Sequence, residues 1–243
     1  MNIDIFIALS LLLVGFLYAS VGHGGASGYL AVLSIFGIPV TVYSPFILLL
    51  NIVVASLSFS QYYKKGYFIW KLTWPFLLTS IPFAFLGAQI YLQKEYYNLL
   101  LGLALWFPIV KLLGFAPINK QSYHRVNLVY ALTFGAVIGF LSGLLNIGGG
   151  IFLSPVIILM AWADSKQAAT SAALFIVLNS LAGLAGKIPN FSFLTYTHYI
   201  WFTAAIIGGA AGAVLGSHKF AINTVRYLLV VVLSIASFKL VFF

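Results

Sequence analysis

The chain contains no cysteine, and only 6% of its 243 residues are charged. The missing thiols exclude disulfides, thiolate metal sites and thiol catalysis. Charged residues make up about a quarter of an ordinary soluble chain, whereas 63% of this chain is hydrophobic. No soluble domain can bury that much apolar surface. The composition therefore predicts an integral membrane protein.

Carboxylates are the scarcest charged groups. The three of them, Asp4, Glu95 and Asp164, all fall at the ends of predicted spans. A multi-carboxylate relay for sodium or protons is therefore excluded, and a cationic substrate would find no counter-charge. Lysine and arginine are also missing from the middle of the spans. These absences favour a small anionic substrate that is held by backbone groups more than by cationic side chains.

The net charge of +9 comes from twelve basic residues that are scattered among short loops. They form no basic face that could follow a phosphate backbone, so we expect no nucleic-acid partner. Loop lysines of this kind set orientation and meet anionic headgroups, which makes membrane lipids the expected partners. We expect no cofactor and no metal. We therefore expect a multi-pass protein of a cell membrane, and a bacterial inner membrane is the simplest location. The sequence leaves open whether the protein forms a homo-oligomer.

Long apolar runs without the alternation of a membrane barrel predict an all-α membrane fold. We predict about eight full spans and two half-helices in one membrane domain. The predicted spans lie near residues 5–21, 41–60, 72–92, 97–115, 126–145, 166–186, 196–215 and 224–240. The predicted half-helices lie at 26–36 and 151–163. The first half-helix would be about 16 Å long, half the hydrocarbon thickness.

One glycine-containing stretch occurs twice in the chain. Gly15–Gly28 reads GFLYASVGHGGASG, and Gly139–Phe152 reads GFLSGLLNIGGGIF. A shift of 124 residues superposes five identical positions. Contiguous glycines break helices, and matching breaks in two halves of a transporter indicate its binding site. We predict two homologous four-span repeats, residues 1–118 and 119–243, each with one break followed by a half-helix.

A half-helix that starts inside the membrane presents unpaired N–H groups and the positive end of its dipole, which together hold anions. The breaks lie at residues 22–25 and 146–150, and the candidate N-termini are Gly24–Ser27 and Gly148–Ile151. The candidate substrate-binding residues are Gly22, His23, Gly24, Gly25, Ser27, Asn51, Asn146, Gly148, Gly149, Gly150 and Asn179. The competing interpretations are close glycine packing, a structural histidine at His23, and interhelical hydrogen bonds from Asn51 and Asn179.

The orientation of the two halves stays open at this level. If the half-helices do not cross, the loops at Lys64 and Lys187 share one side with both termini, and Lys166 lies opposite. Charge counting then weakly favours cytoplasmic termini. If each half-helix completes a crossing, the halves are inverted and the termini move outside.

Two motifs carry a family resemblance: Gly22-His23-Gly24-Gly25 with Gly28, and Asn146-Ile147-Gly148-Gly149-Gly150 with Pro155. They resemble the TauE/SafE sulfite exporter family, which includes toluene sulfonate uptake permeases. The family pattern G-x-G-G-G is partial, since Ala26 and Asn146 each replace one glycine. The resemblance implies a non-enzymatic transporter of small sulfur-containing anions such as sulfite, sulfoacetate or other organosulfonates.

Alternatives from other classes are an anion channel, a structural membrane protein, and a rhomboid-type intramembrane serine protease. The protease reading rests on Gly25-Ala26-Ser27-Gly28, which matches G-x-S-G, with Ser27 as nucleophile and His198 as its base. It leaves the second glycine cluster unexplained.

Overall fold

The computed structural model describes residues 3–112, 123–187 and 194–218, together with 230, 234, 237, 238 and 240–242. Throughout this part of the chain the secondary structure is helical and no strand occurs, which confirms the all-α prediction. The helices are α1 (Ile3–Ala19), α2 (Ala26–Ile35), α3 (Val40–Lys64), α4 (Trp70–Ala88), α5 (Lys94–Leu112), α6 (Leu128–Leu145), α7 (Gly150–Leu159), α8 (Ser165–Gly186) and α9 (Tyr196–Ser217).

Four of the described helices are long and apolar enough to cross a membrane. They cover Val42–Lys64, Leu128–Leu145, Ser165–Gly186 and Tyr196–Ser217. Helices α1, α2 and α7 are shorter but apolar. The predicted total of eight spans stays a prediction, because the last one, 224–240, lies largely outside the described residues. The predicted boundary between the two repeats, at residues 118/119, also stays a prediction, because it lies outside the described residues.

The two short helices begin directly after the glycine clusters. Helix α2 matches the predicted half-helix closely, but α7 ends at Leu159 and the prediction of a helix over 151–163 is wrong at its end. Ala161 has φ of 52°, a left-handed conformation that a helix cannot continue through. Gly150, which was assigned to the break, is the first residue of α7.

Two helix pairs pack through stripes of glycine spaced four residues apart. An added Cβ on these glycines would crowd or overlap the facing backbone. On α9 the glycines are 208, 212 and 216, which face Leu12 and Phe16 of α1 and Ser20 directly after it. On α6 they are 135, 139 and 143, which face Phe76, Ser80 and Ala84 of α4. Residue numbers rise together across both pairs, so the helices of each pair run parallel.

Helices α3 and α8 run in opposite directions. Gly183 packs against Leu48, and three residues away in each helix Asn51 Nδ2 donates to Ser180 Oγ. At the far end, Lys166 Nζ donates to Tyr67 Oη at 3.0 Å. The segment that follows α3 therefore lies beside the start of α8. The alternative in which the loops at Lys64 and Lys187 share a side is contradicted.

Candidate functional site

The two helix breaks are built from residues with positive φ. Gly22 has φ of 79°, and Gly25, at 101°, stands directly before α2. In the second break Gly148 and Gly149 have φ of 72° and 73°. Asn146, which caps the end of α6, also has a positive φ of 57°. Glycine, and to a lesser degree asparagine, adopts this region readily, so each cluster breaks its helix locally. Neither α2 nor α7 receives a side-chain cap from the residue before it.

Asn51, in the middle of α3, lies between the two breaks. Its Oδ1 accepts a hydrogen bond from the Ala26 N–H at 3.1 Å, and its Nδ2 donates to Ser180 Oγ at 2.9 Å. A Cβ added at Gly24 would overlap Asn51 Oδ1, and one added at Gly148 would overlap Asn51 Nδ2. The tertiary structure thus brings both glycine clusters onto one buried amide.

His23 makes a second connection across the breaks. Its Nε2 lies 3.2 Å from Ser154 Oγ on α7, and its Nδ1 lies 2.9 Å from the Val21 carbonyl. The imidazole is only 7% exposed. The first break is therefore tied to the short helix that follows the second one.

Asn179 does not join this group, although the sequence predicted it as a site residue. Its Nδ2 donates to Ser80 Oγ on α4 at 3.0 Å and to the Phe175 carbonyl at 2.8 Å. The α8 residue that meets Asn51 is Ser180, which sequence reasoning missed. Moving one position along a helix rotates the side-chain direction by about 100°. Only the packed structure shows which of the two neighbouring residues faces Asn51.

A cavity of about 390 Å³ adjoins the second break. Its lining includes Ser44, Gln89, Tyr97, Asn146 and Lys187. The Lys187 Nζ donates to Asn146 Oδ1 at 3.2 Å, and burial lowers the pKa of this ammonium below its ordinary value. The sequence places Lys187 in a loop, and the lack of cations in mid-span predicts that backbone groups hold the substrate more than any cationic side chain. Its position just beyond the end of α8 lets the side chain reach back to the break.

The first break has a different neighbourhood. Gly22 packs against Ala169 of α8, where an added Cβ would come within 2.6 Å of the Ala169 Cβ. The Tyr62 hydroxyl of α3 donates to the Ser20 carbonyl at 2.9 Å. Close contacts with two helices thus cover this break.

The family profile described as "Sulfite exporter TauE/SafE" matches residues 7–240. The chain belongs to this family. It is also similar to the "Probable membrane transporter protein y4hK" of Sinorhizobium fredii (strain NBRC 101917 / NGR234), with 32% identity over 239 residues that cover 96% of each chain. No solved structure matches the chain. As a TauE/SafE protein it is a multi-pass membrane transporter and not an enzyme.

The protease alternative also lacks its catalytic pair in this TauE/SafE transporter. Ser27 Oγ lies 2.9 Å from the Tyr18 hydroxyl of α1 and is buried. His198 lies at the start of α9, and its Nε2 is 3.1 Å from the Tyr43 hydroxyl of α3. A serine nucleophile requires a base within hydrogen-bond reach, and Ser27 is paired with a tyrosine instead.

Proposed function

We propose that this transporter carries small sulfur-containing anions, such as sulfite, sulfoacetate or other organosulfonates, and binds them between the starts of α2 and α7. The observation that carries the proposal is the position of Asn51 between the two breaks. Its Oδ1 accepts the first N–H of α2. An oxygen of a sulfite or sulfonate group accepts hydrogen bonds in the same way and adds a negative charge, which a helix N-terminus favours.

The distribution of charge supports an anionic substrate over a cationic one. The three side-chain carboxylates lie at helix starts: Asp4 and Glu95 in the first turns of α1 and α5, and Asp164 as the cap of α8. A cation held between the breaks would meet the positive ends of two helices and no carboxylate. An anion would meet favourable dipoles from both.

Neutral polar groups complete the proposed pocket. The side chains of Asn51, His23, Ser154 and Ser180 are all buried and lie along the contacts that join the breaks. Hydroxyl, amide and imidazole groups can donate to several oxygens of one sulfur centre. The proposed substrate-binding residues are Gly22, His23, Gly24, Gly25, Ser27, Asn51, Asn146, Gly148, Gly149 and Gly150, with Asn179 in a supporting position beside Ser80.

We also propose that residues 1–118 and 119–243 are two related repeats of opposite orientation. Under the shift of 124, α1 to α4 correspond to α6 to α9. The parallel pair α1 and α9 then corresponds to the parallel pair α6 and α4. Corresponding helices α3 and α8 are antiparallel, as inverted repeats require. Inverted repeats around a central site are the usual basis of alternating access.

Flux into proteoliposomes tests this function. We expect saturable uptake from a panel of sulfite, sulfoacetate and methanesulfonate, above the uptake of protein-free vesicles, with acetate, phosphate and sulfate as comparison anions. Flux that rises linearly with concentration would support the channel alternative. Saturable uptake of a cation or a sugar, with none of the anions carried, would overturn the substrate class.

A further inference from the structure

We propose that Lys187 and Asn146 form a recruiting site that receives the anion from the side of the membrane on which α8 ends, before it reaches the pocket between the breaks. This inference rests on the proposed function, because it assumes an anionic substrate. It adds a binding residue, Lys187, that lies outside both glycine motifs.

Asn146 places a buried amide beside the cavity. It is 1% exposed and lines the cavity beside the second break. Its Nδ2 is buried and has no hydrogen-bond partner among the described residues. The neighbouring Tyr97 hydroxyl donates to the Leu145 carbonyl at 2.8 Å, and its oxygen interacts with the Asn146 side chain. An amide nitrogen carries two N–H donors, so Tyr97 can engage at most one of them, and leaving the other buried and unpaired is costly. A ligand with acceptor oxygens would remove that cost.

Lys187 gives the site its charge preference. Its Nζ donates to Asn146 Oδ1, a neutral acceptor, at 3.2 Å. Each side-chain carboxylate of the chain is at a described position, namely Asp4, Glu95 and Asp164. Within the described residues Lys187 makes no ion pair with any of them. A half-buried ammonium without a counter-charge attracts an anion into the adjoining cavity.

The two breaks differ in a way that assigns the recruiting site to one side. Under the shift of 124, Gly22 corresponds to Asn146 and Ala169 corresponds to Pro45. Gly22 and Ala169 are in direct contact, whereas Asn146 and Pro45 both line the cavity. The space between these two positions is therefore filled by direct packing at the first break, whereas at the second break it belongs to the cavity. The cavity extends from the second break to Lys187, which follows the last residue of α8.

The test compares three variants in the proteoliposome flux assay, using every anion of the panel that the wild type carries. In Lys187→Gln the charge is lost, and we expect KM to rise about three- to tenfold, since a partly exposed charge is screened, while the maximal rate stays within about twofold. Lys187→Arg keeps the charge and should keep KM within about twofold of wild type. Lys94→Gln removes an exposed charge at the start of α5, next to the cavity wall, and should leave KM unchanged.

A fourth variant separates binding from a structural role. Because the chain has no cysteine, Lys187→Cys can be modified alone. Aminoethyl methanethiosulfonate adds an ammonium and should lower KM toward the wild-type value. The sulfonatoethyl reagent adds a negative charge and should raise KM further. Both modified proteins are assayed with sulfoacetate or methanesulfonate, because sulfite would cleave the disulfide that joins the reagent to the cysteine.

Each outcome decides one of the two proposals. Saturable anion flux with equal KM for wild type and Lys187→Gln would overturn the recruiting site and leave the proposed function standing. Equal loss of maximal rate and thermal stability in the Gln and Arg variants, with KM unchanged, would assign Lys187 a structural role and also overturn it. If the wild type carries none of the anions of the panel, the proposed function fails and the recruiting site fails with it.

Discussion

The Oδ1 of Asn51 accepts a hydrogen bond from the Ala26 N–H at 3.1 Å, so a side chain of α3 caps the start of α2 from 25 residues away. The same amide donates to Ser180 of α8 at 2.9 Å. A shift of α8 against α3 would therefore change the hydrogen bonding at the start of α2. Under the proposed function, this contact couples helix movement to substrate binding.

We predict that a negative charge at this position blocks anion binding. Asn51→Asp keeps an acceptor for the Ala26 N–H but repels an incoming anion, so the half-saturating concentration should rise by about tenfold or more. Asn51→Ala removes the hydrogen bonds without adding charge, and its half-saturating concentration should rise less. The measurement is saturable flux at pH 8, with melting temperature as the control for folding. Equal half-saturating concentrations in the two variants, both near wild type, would leave Asn51 a purely interhelical role.

The second prediction concerns the backbone of Gly149, the residue before α7. Its φ is 73°, and an added Cβ would lie 2.9 Å from Phe175 and 3.0 Å from Ser142. Gly149→Val should therefore lower transport by about tenfold or more while the protein is still expressed, because β-branched residues are strained at this φ. Gly183→Ala is the matched control: its Cβ would meet only Leu48, at 3.5 Å. Unchanged transport in Gly149→Val would count against binding at this helix end.

The third prediction concerns proton coupling. No carboxylate lies within the proposed pocket, and sulfite itself changes protonation near neutral pH. His23→Gln keeps a polar group that can contact Ser154 Oγ, so we expect a severalfold lower flux of sulfite that still depends on pH. Methanesulfonate stays ionised throughout, and its flux should vary little with pH in either protein. Loss of all pH dependence of sulfite flux in His23→Gln would instead identify the imidazole as the proton-handling group.

The fourth prediction concerns topology. Lys64 is the last residue of α3 and Lys187 follows the last residue of α8, and these helices are antiparallel. Cysteines placed singly at the two positions, in a chain without other cysteines, should react with a membrane-impermeant maleimide from opposite sides of intact cells or oriented vesicles. Lys166→Cys should react from the same side as Lys64→Cys, because Lys166 contacts Tyr67. Labelling of positions 64 and 187 from one common side would refute the inverted arrangement.

Composition and local backbone preference were enough to predict the membrane class, the helical fold and the places where two helices break. Both features are local: apolar runs decide what crosses a bilayer, and glycine adopts positive φ without a steric penalty. Gly25 and Gly149 precede α2 and α7 for this reason. The end of α7 was missed because it depends on a non-glycine residue, Ala161, in a left-handed conformation.

Which side chains meet at the breaks was decided by the tertiary structure alone. Asn51 and Asn179 look equivalent in the sequence, yet Asn51 joins both breaks while Asn179 faces Ser80 of α4. The difference arises from the rotation and direction of α8, and no local pattern specifies either. The same direction places Lys187 beside Asn146 and on the side opposite Lys64. Charge counts along the chain could not choose between the two topologies, because they carry no information on how distant helices pack.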